Sequence, residues 1–322
     1  MHLIQPDPAT ALLGLRALKT IASAAGPVGP AQRAMMAAAQ KVILRTSADI
    51  DTLAPITPAE LAQGFAASPE IRHQFANGMI VTAVADGTPS REAIAQVDAY
   101  AKALGISDPV LADLRLLADG HMTIFKLDFL RRGHIKDIFK NQLEQKGPLS
   151  LAKSVLTMRG VMEEPALAAR YRAWEKLPKG TLGRSLVDFY NKNGFGVPGE
   201  RGGFPEAGLY HDFSHLLGEY STAPEGELQV AAFSAGYKRE RPFYLMLFSI
   251  LIFSTGVQMR PTAADFVTKG VLGEPGIAEL VLAAVERGSK VNMDLSDKWD
   301  YWAWIELPID EVRRRMNILP KT

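Results

Sequence analysis

The sequence predicts an all-α protein. Alanine and leucine are abundant, apolar residues recur three or four positions apart, and alternating runs of strand type are scarce. With 322 residues and 47% hydrophobic content, the chain can build two ordinary domain cores without crosslinks and reads as a soluble globular protein.

The opening stretch, MHLIQPDPATALLGL, has no basic region followed by an unbroken apolar core, so it lacks the pattern of a secretory signal and the cytoplasm is the default expectation. From Gln32 to Leu104 several helices are predicted, punctuated by TSAD, TPAE, SPE and DGTPSRE. Each of these places Ser, Thr or Asp before an apolar-periodic segment, where a side-chain oxygen can cap free backbone N–H groups. In the last of them the Asp86-Gly87 turn leads to a cap at Thr88 or Ser90, with Pro89 in an early helical position. This layout resembles the helical repeat unit of the tellurite-resistance TerB-like domain. That resemblance would give Asp86 a place in an acidic metal site; the residues alone describe a turn.

The next segment, MTIFKLDFLRRGHIKDIFKNQLEQKG, interleaves Phe125, Leu127 and Phe129 with Lys126, Arg131 and Arg132, and continues in the same way beyond Gly133. As a helix it is amphipathic and locally basic. It suits either a connecting helix with a solvated basic face, or peripheral contact with an anionic membrane surface or an acidic partner. Pro148 and the loose EQKGPLS stretch mark a boundary, giving an N-terminal helical domain over 1–147 and a C-terminal one over 148–322 that is richer in aromatics, prolines and glycines.

The most apolar run, Phe243 to Val257, is shorter than the ~20 residues that a membrane-crossing helix needs, and is predicted to be a buried helix. Basic and acidic residues number 36 and 35, which leaves no global attraction to nucleic acid. Cysteine is absent, so disulfides, thiolate nucleophiles and sulfur ligands are excluded and any protein-bound metal must use nitrogen and oxygen donors.

Such donors concentrate in YHDFSHLLGEYSTAPEGELQVAAF, which starts at Tyr210. On a helix His211 and His215 project from nearly the same face, and Asp212 lies on the adjacent edge. Pro224 and Gly226 turn the chain into a second helix, where Glu227 is electrostatically favoured near the N-terminus and can face the histidines if the helices are antiparallel. Two imidazoles and two carboxylates suit a divalent metal, Zn with Mn and Fe(II) as alternatives.

His211-Asp212-Phe213-Ser214-His215, followed by eleven residues and Glu227, resembles the HDxxH-x11-E metal motif of the Coq-four family of coenzyme Q biosynthesis. LPKGTLGRSLVDFY and WIELPIDEVRRRMNI resemble two further segments of that family, so the likeness spans about residues 155 to 320. It implies a helical bundle whose metal site faces an apolar cavity, and a role in ubiquinone biosynthesis: oxidative decarboxylation at C1 of a polyprenylated hydroxybenzoate ring. His211, Asp212, His215 and Glu227 would hold the metal, with Asp212 also available as a base. Tyr210 could hydrogen-bond a ring oxygen, and Arg184 could pair with a substrate carboxylate.

The implied partners are a prenylated aromatic or quinone lipid, other quinone-biosynthetic proteins, the inner face of a membrane and a second copy of the chain. Two other readings compete. One is a non-catalytic prenyl-lipid scaffold that organises biosynthetic enzymes. The other is a metal-dependent hydrolase, in which HDxxH would stand for HExxH with Asp212 as a shortened base.

Overall fold

The computed structural model describes residues 3–132, 143, 147–150, 152–157, 159–259, 267–297 and 299–321. Its first helices begin where proline meets a short polar residue or glycine. Asp7 caps α1 (Pro8–Ala22) by accepting from the N–H groups of Ala9 and Thr10. The cap of α2 (Pro30–Ala38) comes from far along the chain: Asp86 accepts from Ala31 N–H at 2.8 Å and from Gln32 N–H at 3.0 Å. The N-cap position itself is Gly29, and a Cβ there would stand 2.3 Å from the Asp86 carboxylate. The carboxylate considered for an acidic metal site is thus a helix cap.

A π-helical turn, Ala39–Leu44, extends α2. A Thr57–Glu60 capping box starts α3 (Pro58–Gly64), Ser68-Pro69 starts α4 (Pro69–Val84), and Ser90 caps α5 (Arg91–Ala103). Pro89 therefore precedes its helix; Ser90, whose oxygen must sit outside the helix to cap it, sets the start at Arg91. Asp108 caps α6 (Pro109–Ala118), and α7 (Met122–Arg132) follows. α7 buries Phe125 and Phe129 while Ile124 and Leu127 are exposed; the rest of the predicted basic segment, 133–142, lies outside the described residues.

The second half comprises α8 (Pro165–Arg172), α9 (Leu182–Asn193), α10 (Leu209–Gly218), α11 (Pro224–Tyr237), α12 (Pro242–Phe253), α13 (Ile277–Ser289) and α14 (Ile309–Arg315). The fold is all-α: among the described residues no strand forms, and only isolated bridges join Thr181 to Pro308 and Thr255 to Lys269. α12, the predicted apolar helix, is buried on nearly every side, and none of the described helices is long and apolar enough to cross a membrane.

α11 runs through the centre, buried from Leu228 to Tyr237, because it crosses α13 at two glycines. A Cβ on Gly288 would lie 2.0 Å from the Phe233 carbonyl oxygen, and one on Gly236 would lie 2.6 Å from Gly288 backbone, so the helices approach to backbone contact. The first half packs on the same elements. α2 and the π-turn lie along α13, α4 meets α12, and Phe129 of α7 packs at a tilt on Tyr244 and parallel to Phe248. Polar links join them too: Ser254 Oγ donates to the Ala85 carbonyl at 3.0 Å, and Arg45 pairs with Glu286 at 2.8 Å.

The two segments LPKGTLG and WIELPID pair with each other through their backbones. Leu182 and Gly183 N–H donate to the carbonyls of Leu307 and Ile305, and Ile309 N–H donates to that of Gly180. This fixes α9 and α14, which flank the helix bearing the histidines.

Candidate metal centre

α10 carries both histidines and ends abruptly after Gly218, where Glu219 takes the left-handed conformation with φ 60°. One helical turn sets His211 and His215 on one face, with their Nε2 atoms 3.1 Å apart. A tight loop then delivers α11. A Cβ on Gly226 would lie 2.1 Å from the Ser221 carbonyl oxygen, so this glycine is what lets the new helix start so close to the old one. Glu227 sits in the first turn of α11, where the helix dipole favours a carboxylate. Its Oε2 lies 3.4 Å from His211 Nε2 and its Oε1 3.4 Å from His215 Nε2. Among the described residues, these three form the group able to hold a metal ion, with one donor atom from each inside 4.8 Å.

The surroundings prepare the donors. His215 is 2% exposed, and its Nδ1–H donates to the Tyr220 carbonyl at 3.2 Å. That bond fixes the tautomer and leaves the Nε2 lone pair facing the site. Burial works to raise the Glu227 pKa, but the hydrogen bonds and charges of the two imidazoles outweigh it and hold the carboxyl well below the usual carboxylate range. With one nitrogen or oxygen donor from each residue within 4.8 Å of the others, the three fit a divalent metal. Two imidazoles and one carboxylate also leave coordination positions open, as catalytic zinc and non-haem iron sites do.

Asp212 is buried beside this group and stands outside the set of three. Its Oδ2 accepts a 2.6 Å hydrogen bond from the Tyr190 hydroxyl of α9. Burial raises the Asp212 pKa against the opposing pull of the imidazoles and of Tyr190. Burial and the neighbouring carboxylate push Tyr190 well above its ordinary value, so it stays a donor. Tyr210 is buried and its carbonyl accepts from Ser214 Oγ at 2.6 Å. Arg184 is bound to Asp188 at 2.8 Å and to the Glu175 carbonyl at 2.6 Å.

Four supporting residues escaped the sequence reading. Tyr190 and Tyr220 orient site residues directly. Arg287, itself buried, donates to the Gly218 carbonyl at 2.6 Å and to the Tyr220 hydroxyl at 3.1 Å, while Arg313 donates to the Leu216 and Leu217 carbonyls, each at 3.1 Å. Together the arginines satisfy the last carbonyls of α10, where cations are favoured. Tyr190 and Arg313 fall within SLVDFY and IDEVRRR, so the signal for them was the presence of those segments beside HDxxH. Tyr220 falls within the stretch between His215 and Glu227, and Arg287 carried no signal.

No family model matches the chain, and no curated protein matches it. Among solved structures it is similar to a "Putative ubiquinone biosynthesis protein" from Nostoc punctiforme PCC 73102, with 18% identity over 66% of this chain and 97% of that one. The TM-score of 0.35 makes this a loose likeness, from which neither fold nor role is transferred.

Proposed function

We propose that the chain is a metal-dependent enzyme of quinone biosynthesis that acts on the carboxylated ring of a prenylated hydroxybenzoate. The observation that carries this reading is the convergence of His211, His215 and Glu227 from two helices on one point, in the spacing HDxxH-x11-E. His211, His215 and Glu227 would hold the ion, with Asp212 beside them as a further carboxylate. When bound, a divalent ion supplies Lewis acidity that orients a substrate carboxylate and stabilises developing negative charge.

The protein's own residues do the rest. Tyr190 holds Asp212 in place, the Tyr220 carbonyl fixes the His215 tautomer, and Arg287 and Arg313 keep the end of α10 from fraying. The overall conversion replaces the ring carboxylate with hydroxyl. With water as the oxygen source it releases CO2 and two hydrogen equivalents, so a two-electron acceptor takes part. Zinc, manganese and iron(II) all suit these donors, and the two-histidine, one-carboxylate set is also that of non-haem iron oxygenases.

The test is turnover of a prenylated hydroxybenzoate by purified protein loaded in turn with zinc, manganese and iron(II), in the presence of oxygen, with CO2 release and the hydroxylated ring as readouts. Formation of both, lost in His215→Ala, is the expected result. Metal binding without turnover would leave the non-catalytic prenyl-lipid scaffold as the better reading.

A further inference from the structure

Between the two halves of the chain, and built from residues other than the metal centre, two cavities share a wall. The outer is a cleft of about 580 Å³ lined by His73, Asp108, Arg131 and Arg241. The other, inner in that it lies toward α1 and α2, is a smaller, almost wholly apolar cavity of about 100 Å³, about as open to solvent as the cleft and lined by Leu18, Phe75, Val81, Met246, Leu282 and Val285. Asn77 of α4 and Phe243 of α12 line both. One flank of the inner cavity is the π-turn after α2, a departure from α geometry that recurs at functional sites. Another flank is Leu3, on an N-terminal strap tied down by two 2.8 Å hydrogen bonds between the Gln74 amide and the Ile4 backbone.

We infer that these adjoining cavities form a binding site for a single-chain anionic amphiphile, with the head in the outer cleft and the hydrocarbon tail in the inner cavity. Arg131 and Arg241 line the cleft, and the planar donor forks of arginine match carboxylate and phosphate heads. Asp108 lines the same cleft, its carboxylate accepting from Val110 N–H at the start of α6. Arg131 also pairs with Asp128 at 2.8 Å, in an exposed pair that water weakens and an anionic head can compete with. Beyond Asn77 and Phe243 the adjoining cavity offers a tail apolar contact and almost nothing polar, the usual division of a lipid pocket. The inner space takes a short run of methylenes with Leu3 in place, so a longer tail would displace the strap.

Gly78 supplies the discriminating variant. It lines the inner cavity within α4, and a Cβ there meets only Leu18 Cδ2, at 3.6 Å. Gly78→Leu therefore has an unstrained Cβ, occupies part of the cavity with its side chain and favours the helix. Arg241 has φ 47°, so Arg241→Gly removes the charge and suits that backbone conformation.

The experiment measures binding of laurate, dodecyl phosphate and uncharged dodecanol to the full chain by calorimetry, below their micelle concentrations. At least one anionic amphiphile is expected to bind more tightly than dodecanol, and the tighter of the two assigns the head. Gly78→Leu should lose at least tenfold for the anionic ligand and dodecanol alike. Arg241→Gly combined with Arg131→Gln should lose at least tenfold for the anionic ligand only. Bound metal should be the same in every variant, which separates this site from the proposed function. No binding of either anionic ligand, or unchanged affinity in Gly78→Leu with its helicity intact, would overturn the inference.

Discussion

Tyr190 donates its hydroxyl to Asp212 at 2.6 Å, tying α9 to the histidine-bearing α10 inside the protein. Removing that hydroxyl in Tyr190→Phe leaves a buried carboxylate without this donor, at a cost of about 1–3 kcal/mol. Affinity for zinc is expected to fall about 10–100-fold, as when other outer contacts of a metal site are lost. Chemical denaturation and competitive metal titration measure the two effects; unchanged values in both would show that the bond is incidental to the site.

Asp212 and Glu227 should affect the metal-free protein in opposite ways. Burial raises the Asp212 pKa, so its contribution to stability is present below about 3.9, the unfolded value, and is lost as pH rises through the folded value. The Glu227 pKa is lowered, so its contribution is present above about 4.3 and is lost as pH falls through the folded value. In metal-free protein, Asp212→Asn is thus predicted to be more stable than the parent at pH 7, and the advantage should shrink toward pH 4. Denaturation midpoints across that range decide it, and an advantage independent of pH would remove the titration from the explanation.

Arg287 serves the Gly218 and Leu319 carbonyls and the Tyr220 hydroxyl at once. Arg287→Met keeps an apolar chain of similar reach but strands these groups, and is predicted to cost about 2–3 kcal/mol, the scale of a lost charged hydrogen bond. Because the Tyr220 carbonyl fixes His215, zinc affinity should drop as well. A stability loss with normal zinc affinity would confine the arginine to a structural role.

Gly288 tests the crossing that places Glu227. In Gly288→Ala the added carbon meets the Phe233 carbonyl at 2.0 Å, so α11 and α13 must separate. Overpacking of this kind costs about 1–3 kcal/mol. A melting temperature equal to that of the parent would mean that the crossing is looser than its geometry indicates.

Local chemistry was legible in the sequence. Thr57 with Glu60, Ser90 and the apolar helix after Phe243 all rest on short-range pattern, and the structure uses each as its pattern indicates. His211, His215 and Glu227 were legible too, because helical periodicity and one short turn are enough to bring them together. What escaped was long-range. Asp86 caps a helix that starts near residue 30, and Arg287 reaches back to Gly218, and neither relation leaves a trace in spacing. Pro89 was misplaced by two residues because a proline before a capping serine and one just inside a helix look alike in sequence.

The central claim is that His211, His215 and Glu227 bind one divalent metal, and metal analysis of purified protein tests it most directly. The parent chain, loaded with zinc, manganese or iron(II) and then desalted, should retain about one ion per chain. His211→Ala and Glu227→Gln should each lose most of it while keeping their helicity, since each removes one donor from a site set in a large apolar core. A parent chain that retains no ion, or variants that retain as much as the parent, would contradict the account.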